Sequence, residues 1–316
     1  MTEQNIIGKG TWIDKLASEV IKNEKEYGRD IDGVIKVESG LGASGIPHIG
    51  SLGDAVRAYG VKLALENLGY KSELIAYSDD MDGLRKIPEG FPKSLKEHMG
   101  KSVSAIDDPL CDKHDSYGEH MSSLLLEGLD ELGIKYVHKT AHETYKNGIL
   151  KEQIHKILVD WKAKKYGDMV EDLTGQTKFK DVYPYAAVCE DCGIIYTTKA
   201  TDYLQDERRI VYKCEETKIG FTNTLPGCGH KGEADITKDD GKLAWKVEFA
   251  ARWKAFDIRF EAHGKDIMDS VKVNNRVSDD ILKFPHPTSV KYEMFLDKGG
   301  KKISKSLGNV VTSQCY

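Results

Sequence analysis

The sequence predicts an α/β protein whose parallel sheet is interrupted by an inserted metal-bearing module. Strand-like and helix-periodic stretches alternate through the first 150 residues and again from Trp245 onward, which is the rhythm of βαβ units. Between about Lys178 and Lys242 that rhythm stops, and four of the six cysteines fall in this stretch. A chain of 316 residues, 40% of them apolar, has the length of roughly two domains and enough apolar material to bury a sizeable core.

In order along the chain, residues 11 to 27 are expected to form an amphipathic helix, with Thr11 as cap and Trp12, Leu16, Val20 and Ile21 at helical spacing before Gly28. The run Val34-Ile35-Lys36-Val37 predicts a strand that enters the glycine loop Ser39-Gly40-Leu41-Gly42-Ala43-Ser44-Gly45. A periodic stretch from Leu52 to Leu68 predicts the next helix, and Leu74 to Tyr77 the next strand. A leucine-rich helix from about Tyr117 to Leu132 and a strand at Ile134 to Val137 extend the series. After a helix around 149 to 165 comes the inserted module, rich in Cys, Gly, Thr and charge. From Trp245 the expectations are a helix, a strand at Ile258 to Phe260, a helix-prone segment at 267 to 283, and a strand from Val290 to Leu296.

Lys plus Arg number 46 against 51 Asp plus Glu, a net charge of -5, which argues against a surface that wraps nucleic acid throughout and leaves room for a local basic site. The start lacks a basic region followed by an apolar one, and no stretch approaches the ~18 apolar residues of a membrane span, so neither export nor membrane insertion is expected. Clustered cysteines suit a metal better than a disulfide framework, and hence a reducing, cytoplasmic setting.

Two loops carry the chemistry. Gly40, Gly42, Gly45 and Gly50 surround Pro47-His48-Ile49-Gly50-Ser51 at a strand-to-helix junction, where free N–H groups and the helix dipole attract phosphate and missing Cβ atoms admit a flat base. The spacing is neither G-x-G-x-x-G nor a Walker loop, which removes the main support for a dehydrogenase or P-loop enzyme. Near the other end, Gly299-Gly300-Lys301-Lys302-Ile303-Ser304-Lys305-Ser306 places closely spaced ammonium groups after flexible glycines, a loop suited to neutralising a polyphosphate. Cys189-x-x-Cys192, Cys214 and Cys228 offer four soft ligands for a tetrahedral structural zinc, with His230 as an alternative to Cys228. Cys111 stands far from them.

Pro47 to Ser51 resembles the HIGH signature of class I aminoacyl-tRNA synthetases, and Lys302 to Ser306 resembles their KMSKS loop. The wider strings SGLGASGIPHIGS, SDDMDGLRKIP, the Trp245 to Trp253 run followed by Gly264-Lys265-Asp266, and KYEMFLDKGGKKISKS look like the archaeal-type class I lysyl-tRNA synthetases, from about Thr11 to the last residues. The resemblance implies a Rossmann-like (HUP-type) catalytic domain. Its first half would be residues 1–150, its inserted connective region with the zinc knuckle 151–242, its second half 243–290, and its lysine-loop region 291–316.

By the same resemblance, His48, Ser51, Lys302 and Lys305 are catalytic. Pro47, Gly45, Gly50, Gly264, Asp266, Ser304 and Ser306 would contact ATP, while Gly40, Gly42, Asp79, Asp80, Trp245 and Tyr292 would line the lysine pocket. Glu38 and Asp82 are further carboxylate candidates for the substrate's ε-ammonium. The implied partners are L-lysine, ATP with Mg²⁺, and the acceptor end of tRNA(Lys), the protein acting as a monomer. Ser51 replaces the second histidine of the signature, Ile303 the methionine of the lysine loop, and Ile267 a histidine expected after Gly-Lys-Asp. The chain ends ten residues after Ser306, where the family continues into a helical anticodon-binding region, so a catalytic core without that region is expected. Two other readings stay open: a class I core for another amino acid, glutamate above all, and a non-catalytic zinc-containing RNA-binding protein of the same fold.

Overall fold

The structure, a computed structural model, describes residues 10–301 and Ile303, apart from 89, 164–165, 181 and 220–222. Helix α1 (Trp12–Glu26) opens with a capping box: the Thr11 hydroxyl accepts from the Asp14 N–H while the Asp14 carboxylate accepts from the Thr11 N–H. There follow β1 (Val34–Leu41), α2 (Ile49–Asn67), β2 (Lys71–Ser78), α3 (Tyr117–Glu131) and β3 (Val137–Thr140). Three helices come next, α4 (Ala141–Lys146), α5 (Lys151–Ala163) and α6 (Tyr166–Thr174). The short strands of the module are β4 (Tyr185–Ala187), β5 (Thr198–Leu204), β6 (Arg209–Cys214), β7 (Thr217–Ile219), β8 (Asn223–Leu225), β9 (Lys231–Asp235) and β10 (Gly241–Leu243). The chain then resumes with α7 (Trp245–Phe256), β11 (Ile258–Gly264), α8 (Met268–Arg276) and β12 (Thr288–Tyr292).

The main sheet has the order β12-β11-β1-β2-β3, and every neighbouring pair is parallel. The strand order reverses at β1, with β2 on one side and β11 on the other, so a crevice opens outside the carboxyl ends of these strands. Helices cover both faces: Ile35, Val37, Leu74 and Phe260 pack with α1 and α2, whereas Ile75 and Tyr77 pack with α7. All seven residues of β11 are accordingly buried, as strands between two helical layers must be. On α1, Glu24 is fully buried and pairs with both Arg29 and Arg259, the latter tying α1 to β11.

Strands β4 and β10 pair antiparallel, Tyr185 opposite Leu243, and enclose the segment of short strands. Inside it, β5, β6 and β9 form an antiparallel sheet. Several expected boundaries move. The strand after α3 starts at Val137 instead of Ile134, because Ile134 is drawn into the core behind Gly133 and pairing with β2 begins at Val137. The last strand is Thr288–Tyr292, since its partner β11 ends at Gly264 opposite Tyr292. The segment 267 to 283 is a helix only to Arg276 and then widens into a π-turn ended by Lys283 at φ 53°. Helices α4 and α6 were not foreseen. Among the described residues no helix is long and apolar enough to cross a membrane.

Candidate active site

The glycine loop turns the chain from the end of β1 to the start of α2, at the crevice. His48 is the N-cap of α2, and its Nδ1 accepts from the Gly50 N–H at 2.9 Å. With Nδ1 occupied as an acceptor, a neutral ring carries its proton on Nε2 and offers it as a donor. Gly50 is required for this: a Cβ there would lie 2.6 Å from His48 Cε1. Gly45 and Pro47 are buried, holding the loop, while Ser51 is half-buried in the first turn of α2. One strand away, Gly264 ends β11 and Asp266 lies exposed in the turn after it.

Tyr292, at the end of β12, donates its hydroxyl to Asp54 on α2 at 2.9 Å, and Asp54 also accepts from Ser39. Arg57 lies 4.2 Å over the Tyr292 ring and 5.5 Å over that of Phe295. A Cβ on Gly53 would come within 2.9 Å of Phe295. The chain then folds back, Ile303 N–H donating to the Phe295 carbonyl and Asp297 N–H to that of Lys301. The described parts of the lysine loop are thereby held against the helix that His48 opens; Lys302, Ser304, Lys305 and Ser306 lie outside the described residues.

Burial raises the Asp54 carboxyl from 3.8 to about 7, against the opposing hydrogen bonds of Tyr292 and Ser39. A carboxyl whose folded pKa exceeds its unfolded value holds its proton better when folded. Its contribution to stability is therefore complete below about pH 4 and is lost as the pH rises through 7. Asp54→Asn keeps both hydrogen-bonding partners and removes that loss. Urea unfolding at pH 8 is expected to show a gain on the order of 1–3 kcal/mol that vanishes at pH 4; equal stability of variant and parent at pH 8 would contradict it.

Across the crevice a cavity of about 250 Å³ is lined by Gly42, Ser44, Asp79, Asp82, Arg85 and Trp245, among others. Gly40 is not among its lining residues but lies next to one of them, a Cβ there standing 4.0 Å from Asp79 Oδ2. Below it sits Arg252 of α7, 1% exposed, which donates to Glu38 at 2.6 Å and Asp79 at 3.2 Å and approaches Glu261 at 3.5 Å. Three buried carboxylates thus share one guanidinium, and Glu38 Oε2 has no hydrogen-bond partner among the described residues. Burial pushes Asp79 up to about 7 and raises Glu38 and Glu261, while Arg252 pulls each of them down. Asp82 goes the other way: burial is outweighed by Lys242, at 2.7 Å, and Arg85, and its carboxyl lies below the usual range. Trp245 Nε1 also donates to Asp82, at 3.1 Å. Asp80 spends Oδ1 on the His142 N–H at the start of α4.

The four cysteine sulfurs of the module lie within 4.8 Å of one another, with Cys189 and Cys228 3.6 Å and Cys192 and Cys214 3.8 Å apart. Tetrahedral zinc with Zn–S near 2.3 Å sets its sulfurs about 3.8 Å apart, so the cage has the right size. His230 stands outside this group of four and faces Glu190. A second cluster escaped the sequence reading: Asp108, Cys111, His114 and His120 also bring one donor atom each within 4.8 Å. His120 Nδ1 is 2.7 Å from Asp108 Oδ2, and Cys111 Sγ is 3.1 Å from the same oxygen. The signal was present as Asp-x₂-Cys-x₂-His-x₅-His. Arg252, Lys242 and Glu261 were likewise given no role by the sequence reading.

A family model described as tRNA synthetases class I (K) matches residues 10–315. The chain is 62% identical over 312 residues to a lysine–tRNA ligase of Cenarchaeum symbiosum (strain A), covering 98% of this chain and 58% of that protein. It is 33% identical over 286 residues to a lysine–tRNA ligase of Rickettsia bellii (strain OSU 85-389), covering 89% of this chain and 51% of that protein. The chain therefore spans a little over half the length of these curated relatives. A tryptophanyl-tRNA synthetase structure from Campylobacter jejuni superposes loosely, at a TM-score of 0.42 and 14% identity, covering 88% of this chain and 61% of that one. With the family model matched over nearly its whole length, a parallel sheet that reverses at β1 and an imidazole at the crevice, the chain belongs to the class I (K) tRNA synthetases.

Proposed function

We propose that this chain is the catalytic core of a lysine–tRNA ligase, activating L-lysine with ATP and passing the lysyl group to the terminal adenosine of tRNA(Lys). The observation that carries the choice of amino acid is the set of Glu38, Asp79 and Glu261 around a single Arg252, reached from the cavity through Asp79. Burial holds these carboxyls towards their protonated forms; a substrate ammonium beside Asp79 favours its ionised form, whereas a substrate carboxylate there would be repelled. The names and identity of the relatives support the same reading.

In this reading the lysine carboxylate attacks the α-phosphorus of ATP in line, forming lysyl-adenylate and releasing pyrophosphate. The ribose 2′-hydroxyl of the tRNA end then takes the lysyl group and AMP leaves. No side-chain nucleophile is needed; the protein positions the reactants and stabilises charge. His48 Nε2–H donates to the phosphates, Gly50 and Gly45 admit the adenosine, and Asp266 with Gly264 meets the ribose. Lys302 and Lys305 neutralise the leaving pyrophosphate, with Ser304 and Ser306 beside them. Gly42, Trp245 and Asp79, which line the cavity, hold lysine, with Gly40 beside Asp79; Asp80, bonded to the His142 N–H, and Tyr292, bonded to Asp54, are not among the residues lining it. Mg²⁺ bound to ATP would spread phosphate charge. Zinc fits the four cysteines as a structural ion, and the mixed nitrogen, sulfur and oxygen donors of Asp108, Cys111, His114 and His120 fit a second.

Amino-acid-dependent ATP–pyrophosphate exchange tests the proposal. Of the twenty amino acids, lysine alone is expected to drive it. Exchange driven by glutamate would overturn the specificity, and no exchange with any of them would leave an RNA-binding protein.

A further inference from the structure

The protein carries an ammonium of its own beside the carboxylates of the cavity. Lys242 is buried, with Nζ 2.7 Å from Asp82 Oδ1 and 3.0 Å from Glu248 Oε2. Three separate parts of the chain meet in this triplet. Lys242 comes from β10, where it stands opposite Ala186 of β4; Asp82 follows β2; Glu248 lies in the first turn of α7. Glu248 is fully buried, and its Oε1 accepts from the Tyr145 hydroxyl at 2.9 Å. A cation buried between two carboxylates from different elements ties those elements together, because neither acid is compensated without it.

The two carboxylates that line the first cavity are left in opposite states. Asp82 Oδ1 accepts from Lys242 and, at 3.1 Å, from Trp245 Nε1, while Oδ2 lies 3.5 Å from Arg85. Asp79 Oδ1 accepts from Arg252, but its Oδ2, on the Gly40 side, accepts no hydrogen bond among the described residues. An incoming ammonium therefore meets Asp79, since Asp82 already has its charge matched. Trp245 lines the same cavity, and the hydrogen bond that orients its indole ends on the carboxylate that Lys242 fixes. Along α7, Trp245, Glu248 and Arg252 follow at helical spacing on one face, so the indole, the Lys242 pair and the Arg252 cluster share one side of the helix.

We infer that Lys242 is a positioning residue of the amino-acid pocket: its ammonium occupies Asp82 and Glu248, which holds the Trp245 indole in place and leaves Asp79 as the carboxylate for a ligand's ammonium. The inference rests on the reading of the first cavity as the lysine site. A second cavity, of about 410 Å³, adjoins the first, shares Asp82 and Trp245 with it, and has Lys242 and Tyr196 in its wall. Through it a small amine can reach the place of the Lys242 side chain, so charge and packing are separable. Lys242→Ala removes three carbons and an ammonium, the atoms of n-propylammonium; 1-propanol has the same shape without the charge.

In the full chain, Lys242→Ala is expected to raise the KM for lysine in ATP–pyrophosphate exchange about tenfold, the worth of one charge-assisted hydrogen bond, with kcat and the KM for ATP held within about twofold. n-Propylammonium should return the KM to within about threefold of the parent, as should Lys242→Arg, whereas 1-propanol should not. Indole fluorescence, read without any amino acid, should follow the same pattern: shifted in Lys242→Ala, returned by n-propylammonium, and blind to the amine once Trp245→Phe is added. Equal recovery with 1-propanol overturns the inference, since Lys242 would then supply volume and not charge. So does an unchanged KM for lysine with a lowered kcat. If the alanine variant fails to fold, Trp245→Phe decides: an unchanged KM for lysine there removes the step from Asp82 to the indole and overturns the inference. Absence of exchange with every amino acid in the unaltered chain would instead strike the proposed reaction, while the fluorescence titration still judges Lys242.

Discussion

Arg252→Met is expected to cost roughly 3–5 kcal/mol of folding stability, because it leaves Glu38 and Glu261 buried without their guanidinium and Asp79 with only the more weakly acting Lys242. Methionine fills similar volume, so the loss measures charge more than cavity. The carboxyls are already shifted upward by burial, and Arg252 is what draws them back. Without it their folded pKa values rise further above the unfolded ones, and the folded state binds more protons than the unfolded state across a wider range. Stability of the variant must then increase as the pH falls. Urea unfolding at pH 8 and pH 5 checks this: the deficit relative to the parent should be larger at pH 8. A deficit equal at both values would mean that Arg252 acts by packing on Tyr77 and Phe249, over whose rings it lies at 4.3 and 4.8 Å, and not by neutralisation.

Cys192→Ser is expected to remove one of about two zinc equivalents per chain and to unfold the module between β4 and β10. Structural zinc contributes on the order of 10–16 kcal/mol of apparent binding free energy in small zinc-finger peptides, and where strands are short that energy is folding energy. The strands here run from three to seven residues, too short to enclose much core of their own. Metal analysis together with limited proteolysis checks the outcome: the variant should be cut within residues 185–243 while the parallel sheet resists. Because Tyr196 and Lys242 reach the cleft from this module, lysine-dependent exchange should fall as well. Full zinc content with unchanged protease resistance would refute the four-cysteine cage. His120→Ala, by contrast, should remove the other equivalent and leave the module intact.

The elements that sequence made legible are those governed by neighbours in the chain. Thr11 with Asp14, the glycine loop after Val37, and His48 at the start of α2 are local devices, readable from a dozen residues. Strand ends were less legible because a strand stops where its partner stops. Val290 to Leu296 has strand character throughout, yet β12 ends at Tyr292 because β11 has no residue to offer beyond Gly264. The Asp108 cluster went unread for a related reason. Each of its four residues is ordinary alone, and only the turn before α3 folds them to a common point.

What the chain's order of residues decided by itself was the alternation of strands and helices, the two glycine-flanked loops proposed to meet phosphate, and the spacing of thiols suited to a metal. These follow from periodicity, glycine conformation and donor type, which act over short separations. Tertiary structure alone decided that Arg252, in sequence one more cation on a helix, is buried among carboxylates 214, 173 and 9 positions away. It alone decided that Asp82 answers to Lys242 while Asp79 faces a cavity. Charge is read by its surroundings, and those are assembled only when the sheet brings β1, β2, β11 and α7 into contact, because Coulomb energy in a buried site depends on distance and dielectric and not on order along the chain.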